Sequence, residues 1–239
     1  MKRLLWILIP ALLLLLCPQP MVDPTQYAPN PAGVLSPAEQ GAFEDILRAA
    51  EAGQAVIPAD QEADLHKLLT QLGLHFGTME NIWHLVIQSG GEYRLNLPMF
   101  RDLERNRIAV EARVEEALTQ LREGSDRYKL YQIARFLAER ITYTAGVRET
   151  VDGLRGEGVC ATYAMLFYKM ASRLGIESYL CYGFAGGGYH VWNMVVLDGE
   201  SYYYDITWYD TTPPAYRYLH SPTSWGREFT INDLWAGSQ

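Results

Sequence analysis

The chain has 239 residues, 49% hydrophobic and 20% charged, enough apolar material for a packed core; this composition excludes a disordered chain and a multi-span membrane protein. Its 20 basic and 28 acidic residues give a net charge of -8, and no basic run overrides that balance, so nucleic acid is excluded as an electrostatic partner.

Met1-Lys2-Arg3 and the uncharged run from Leu4 to Cys17 have the basic start and apolar stretch of a secretory signal. The stretch includes Pro10 and falls short of the roughly 20 residues a bilayer span needs. Export is expected, to the extracellular space or cell envelope. Three fates of residues 1–17 stay open: cleavage, retention as a membrane anchor, and lipidation at Cys17, where Leu14-Leu15-Leu16-Cys17 loosely matches a lipoprotein signal. Residues 18–35 contain Pro18, Pro20, Pro24, Pro29 and Pro31 and suit an extended linker.

Ser36-Pro37-Ala38-Glu39 combines an N-cap serine, a proline at the first helical position and a glutamate able to close a capping box, predicting a helix to about Ala52. A second helix is expected from Pro58 to Leu72, with Leu65, Leu68, Leu69 and Leu72 as its stripe and Gly73 as its end. Ile82–Ile87 and Tyr93–Leu97 flank Ser89-Gly90-Gly91-Glu92, a hairpin pattern. Helical spacing recurs from Asp102 to Leu121, and again after a cap at Ser125 or Asp126 through Leu130, Ile133, Ala134, Leu137 and Ile141. This divides the chain into a helical and hairpin region at 36–125, a core at 126–225 and a tail at 226–239.

In the core, Cys160 opens a run without proline or glycine that Gly175 ends, so its thiol sits in the first turn of a helix. Strands are expected at Ser178–Phe184, Tyr189–Leu197 and Tyr202–Thr207, the last two joined by Asp198-Gly199. A two-residue type I′ turn there sets Leu197 opposite Glu200 and, by counting back, Trp192 opposite Asp205. His190 then shares a face with Asp205 as a diagonal neighbour. A three-residue loop would separate them.

These positions suit nucleophilic catalysis. A cysteine at a helix N-terminus beside an imidazole is readily a thiolate, His190 can move its proton, and Asp205 can orient the ring. The Cys160 N–H, outside the helical ladder, can face an oxyanion. Tyr143 is a candidate second donor, against the simpler reading of a packed tyrosine with its hydroxyl at the surface. An exported chain with Cys160 and Cys181 also invites a structural disulfide, which would silence the thiol. Tyr202, Tyr203, Tyr204, Trp208, Tyr209, Tyr216 and Tyr218 form either a groove for extended peptide or glycan or, more in keeping with the preference of aromatics for strands, core packing. His75, His84 and His220 lack metal-ligand spacing and read as structural.

The order Gly158-Val159-Cys160-x-x-Tyr163-Ala164, His190-x-Trp192-Asn193 and Asp205-x-Thr207-Trp208 resembles the core of the transglutaminase-like superfamily, in its peptidase-like bacterial branch, across residues 126–225. The resemblance implies a papain-like α+β fold, with the cysteine helix packed on an antiparallel sheet that carries His and Asp. It puts Cys160, His190 and Asp205 in the nucleophile, base and orienting positions, and matches Trp192, Asn193 and Trp208 to supporting positions around substrate and oxyanion. Thr162 departs from a usual glycine and Val191 from a usual alanine. No acidic calcium loop is present, and no cofactor or metal is implied. The expected function is that of an exported, cofactor-independent thiol enzyme acting on amide bonds through a thioester, a peptidase, amidase or transglutaminase with hydrolysis favoured. Its substrate would be protein or peptide, cell-wall peptide included. The alternative is a non-catalytic cell-envelope binding module with the same fold.

Overall fold

The computed structural model describes residues 35–79, 82–147, 150–185, 188–211, 216–222 and 229–236. The expected export segment at 1–17 and the linker up to residue 34 lie outside them.

The first lobe begins with α1 (Pro37–Glu51), closed by the expected capping box: the Glu39 N–H donates to Ser36 Oγ at 3.2 Å and the Ser36 N–H to Glu39 Oε2 at 2.7 Å. After β1 (Val56–Pro58), α2 runs over Leu65–Phe76, shorter at its start and longer at its end than expected. Asp64 starts it by accepting the His66 and Lys67 N–H groups, because Pro58 is engaged in strand pairing with Glu92. Gly73 does not stop it, since the apolar face continues through buried Leu74 and Phe76 to Gly77, which takes the left-handed conformation at φ 71°.

The expected hairpin forms between β2 (Val86–Ser89) and β3 (Glu92–Leu95) across Gly90-Gly91. Ile82–His84, expected in its first strand, makes a 3-10 turn instead. The three strands order β1-β3-β2 over a core of Ile46, Leu68, Leu72, Ile82, Leu85 and Tyr93. Then α3 (Leu97–Leu118) begins ahead of the expected Asp102, because Asn96 Oδ1 accepts the Met99 N–H at 3.3 Å and Pro98 fits the first turn.

In the second lobe, α4 (Asp126–Ala138) starts at Ser125, whose hydroxyl accepts the Tyr128 N–H. Two short parallel strands, β4 (Thr142–Tyr143) and β5 (Glu157–Gly158), bracket a loop with a 3-10 turn at Thr150–Arg155 and lead into α5 (Cys160–Arg173). The stripes of α3 and α4 pack together, as expected, and against Tyr163, Leu166, Phe167 and Met170 of α5. An antiparallel sheet follows: β6 (Ser178–Ala185), β7 (Gly188–Leu197), β8 (Glu200–Tyr204), β9 (Leu219–Pro222) and β10 (Phe229–Ala236), in the order β10-β6-β7-β8-β9. The expected tail is therefore corrected over 229–236, which pairs with β6 as an edge strand of the main sheet. The strand expected to reach Thr207 stops at Tyr204 and gives way to the short helix α6 (Ile206–Thr211). The architecture is mixed α and β, with α5 against the sheet that carries His190.

An ion pair in a buried setting ties the lobes together. Lys169 of α5 is only 7% exposed and places Nζ 2.7 Å from Glu111 Oε1 of α3, while Arg173 meets Glu111 Oε2 at 2.7 Å. Lys169 also donates to the His75 carbonyl at the end of α2. Burial pulls the Lys169 ammonium toward neutrality and the Glu111 carboxylate holds it charged, so each group is costly without the other. Glu111→Ala is expected to destabilise the protein by about 3 kcal/mol in urea unfolding, whereas the double substitution Glu111→Leu/Lys169→Met recovers most of that loss.

Candidate active site

The site is assembled from three pieces of chain: the start of α5, one end of β7, and the junction of β8 with α6. Cys160 is the first residue of α5. The first helical bonds run from the Thr162 and Tyr163 N–H groups to the Val159 carbonyl, which leaves the Cys160 and Ala161 N–H groups outside the ladder. Valine offers no capping oxygen, so the turn is fixed from inside: Thr162 Oγ1 accepts the Val159 N–H at 3.2 Å. Thr162 is fully buried and lies so close to Gly158 that a Cβ there would stand 2.6 Å from its side chain. The departure from glycine at 162 thus has a structural use, which depends on glycine at 158.

The Asp198-Gly199 turn forms as expected, with both residues at positive φ of 54° and 80°. Leu197 pairs with Glu200 and the register continues to Asn193 with Tyr204, one step short of the counted Trp192–Asp205 pair because β8 ends there. Asp205 is fully buried and its two oxygens have separate duties. Oδ2 lies 2.6 Å from His190 Nε2, and Oδ1 accepts the Trp208 N–H at 3.0 Å at the start of α6. Its own N–H donates to the Tyr218 carbonyl at 2.8 Å.

His190 is 7% exposed and its Nε2 is taken by Asp205, leaving Nδ1 for the Cys160 side chain, which is within hydrogen-bonding reach. Burial pulls the imidazolium down, but the Asp205 charge and hydrogen bond, with a smaller contribution from Cys160, outweigh it and push His190 up to about 9. The Trp208 indole lies nearly parallel to the imidazole, 5.2 Å away at 15°, and Trp192 flanks it at 6.0 Å and 17°. A cationic ring between aromatic faces gains a further electrostatic contribution.

The structure therefore brings Cys160, His190 and Asp205 together, with Trp208 against the imidazole. Trp192 packs inward, 1% exposed, edge-on to Tyr203, and Asn193 is fully buried with its amide donating to the Ala164 and Tyr179 carbonyls at 3.0 and 3.4 Å. Trp192 thus supports the imidazole from within the core, and Asn193, whose parity is opposite to that of His190, fastens β7 to α5. Tyr143 is 45% exposed and pairs with Gly158, two residues from Cys160; burial and the nearby Cys160 charge raise its hydroxyl. Tyr182 was not singled out from sequence, yet it packs with Cys160 and Ala161 on one apolar cluster. Its parity with Leu180 on β6 is the sequence signal that would have found it.

Cys160 and Cys181 are both free thiols. Cys181 is enclosed by Tyr179, Trp192, Met194 and Tyr203, and burial raises its thiol far above the ordinary range. The aromatic run after the turn mostly packs: Tyr203 and Tyr204 are 1% exposed, while Tyr216 is 64% exposed. His75 sits edge-on to Phe76, and burial pushes it down to about 4; His220 stacks on Tyr202. Among the described residues no group of three His, Cys, Asp or Glu side chains is arranged to hold a metal.

No curated protein matches the chain. Among solved structures, it is similar to a candidate cysteine protease from Cytophaga hutchinsonii, at 16% identity over 43% of this chain and 37% of the other, with a TM-score of 0.36. A protein described as a TGase matches at 17% identity over 66% and 51% of the two chains with a TM-score of 0.38. A candidate protease from Parabacteroides distasonis matches at 13% identity over 50% and 30%, with a TM-score of 0.32. This chain thus spans from under a third to about half the length of those structures. The model of the transglutaminase-like superfamily matches residues 113–213, a span that holds Cys160, His190 and Asp205.

Proposed function

We propose that this protein is an exported thiol enzyme that transfers the acyl group of a peptide amide through a thioester on Cys160. The observation that carries the reading is the division of labour at Asp205: one oxygen on His190 Nε2 at 2.6 Å, the other held by the Trp208 N–H, which turns the remaining imidazole nitrogen toward Cys160. Such an arrangement has the roles of nucleophile, acid–base and orienting group filled by separate side chains. Export is supported by the basic start and apolar run of residues 1–17.

The reaction balances without a cofactor. The Cys160 thiolate attacks the amide carbon, forming a C–S bond, while the oxyanion faces the N–H groups of Cys160 and Ala161 at the start of α5. His190 Nδ1–H then gives its proton to the leaving amine as the C–N bond breaks. Water, its proton taken by His190, attacks the thioester; the C–S bond breaks and carboxylic acid and thiolate are released. A primary amine in place of water would give a new amide instead. Hydrolysis is the favoured outcome, because Cys160 is partly exposed and so open to water.

Two outcomes are expected. The first concerns pH: His190 must be protonated to release the amine, so kcat/KM falls as pH rises through about 9, where the imidazolium loses its proton. In Asp205→Asn the charge that outweighs burial is gone, so that limb moves below the ordinary histidine value of about 6.5 and kcat/KM near neutrality drops about 100-fold or more. An alkaline limb unmoved by the substitution would contradict the assignment. The second concerns product: mass spectrometry of a glutamine-containing peptide library incubated with a primary amine should show Cys160-dependent loss of ammonia with water incorporation, or chain cleavage. Amine addition would identify a cross-linker, and peptides unchanged relative to Cys160→Ala would rule out both.

A further inference from the structure

Strands β6 and β7 carry a row of three aromatic rings, the first of them close to the thiol, that the proposed reaction leaves without a role. Tyr182 and Tyr189 stack face to face, centroids 5.6 Å apart at 9°, and Phe184 leans on Tyr189 at 4.2 Å and 39°. Burial does not explain them: Tyr189 is 66% and Phe184 37% exposed. Their neighbours on the same strand behave otherwise, since Leu180 and Cys181 are fully buried. The rings reach the candidate site through Tyr182, which packs against the same apolar cluster as Cys160 and Ala161 and feels the Cys160 charge, while Tyr189 lies on the face of β7 opposite to His190 and extends the row from Tyr182. Tyr143, 45% exposed and joined through β4–β5 to the segment entering Cys160, adds another exposed ring near the thiol. No Asp, Glu, Lys or Arg lies on β6 or β7 between Tyr179 and Val196, and His190, the cationic residue of that stretch, has the strand parity opposite to Tyr189.

We propose that Tyr182, Phe184 and Tyr189 form a specificity subsite that takes an aromatic side chain of a peptide acyl donor, within two residues of the amide that Cys160 attacks. The proposal rests on the thioester reading for its location. Stacked rings with two side-chain torsions each are held in place before binding, so an incoming ring meets a prepared face at little conformational cost. A charged side chain would find no charged partner on the face of β6 and β7 that these rings share and would give up hydration there. An aliphatic side chain gains the burial but loses the ring-on-ring contact, so the subsite ranks aromatic above aliphatic above charged.

Binding to the Cys160→Ala protein tests this without requiring turnover. The probes are an acetylated, amidated peptide with Phe directly before Gln, the same peptide with Ala in that place, and an N-acetylglucosamine trimer. The Phe peptide is expected to bind about 10-fold more tightly than the Ala peptide. Tyr189→Ala and, independently, Phe184→Ala should remove that preference while leaving the affinity of the Ala peptide within about twofold, and Tyr189→Phe should retain it. In the Cys160-containing protein, KM for the Phe peptide should rise with kcat unchanged, and the alkylation rate of Cys160 should stay the same, showing that the site is intact. Equal binding of the two peptides, a preference that survives both alanine substitutions, no detectable peptide binding, or tighter binding of the sugar trimer would each overturn the subsite. Should the wild-type chain turn over no amide at all, the thioester reading fails and the binding preference still decides the subsite.

Discussion

A buried carboxylate has to be satisfied at both oxygens, and at Asp205 that requirement organises the site. One oxygen needs an N–H that only a helix start can offer, so the strand ends and α6 begins; the other needs the imidazole of His190. Capping a turn and orienting a histidine are often treated as rival explanations for an aspartate. Here each depends on the other, because the cap fixes the carboxylate in the one plane from which it reaches Nε2. Trp208 follows from the same turn, since the residue whose N–H caps Asp205 also lays its indole along the imidazole.

The cysteine is positioned by a different constraint, steric rather than electrostatic. Val159 cannot cap α5, and the job passes to Thr162, whose buried side chain requires a neighbour without a Cβ at Gly158. The entry into the helix is therefore rigid where the oxyanion-facing N–H groups lie, without a side-chain oxygen competing for them. Asn193 extends the same logic to the sheet: its amide fastens β7 to α5 at Ala164, one turn beyond Cys160, so histidine strand and cysteine helix are held at fixed separation. Lys169 and Glu111 then join this core to the first lobe further along α5.

Much of the site was legible because its information is local. A two-residue Asp-Gly turn fixes strand parity, and parity alone put His190 on the side of Asp205; glycine at 175 and the unbroken run before it placed Cys160 at a helix start. What escaped was information held by other segments. Gly73 looked like a helix stop until Leu74 and Phe76 found a core beyond it, and the aromatic run Tyr202-Tyr203-Tyr204 favoured extending β8 past Asp205, where a capped helix begins. Asn193 reads as a motif residue, but the identity of its partners, two carbonyls in α5 and β6, depends on packing. The final strand resembled a tail because its pairing partner lies some fifty residues away.

The sequence by itself determined which residues face which way along each element: turn type, helix stops and alternation set the parity of His190, Trp192 and Asp205 and the first-turn position of Cys160. The tertiary structure alone decided what each of those faces meets. It turned Asp205 into a shared partner of a helix and a histidine, sent Trp192 and Asn193 inward, and brought Tyr182 onto the same apolar cluster as Cys160. The reason is physical: periodicity is written in the backbone geometry of consecutive residues, whereas the partner of a buried polar group is settled by which segments the whole core forces into contact.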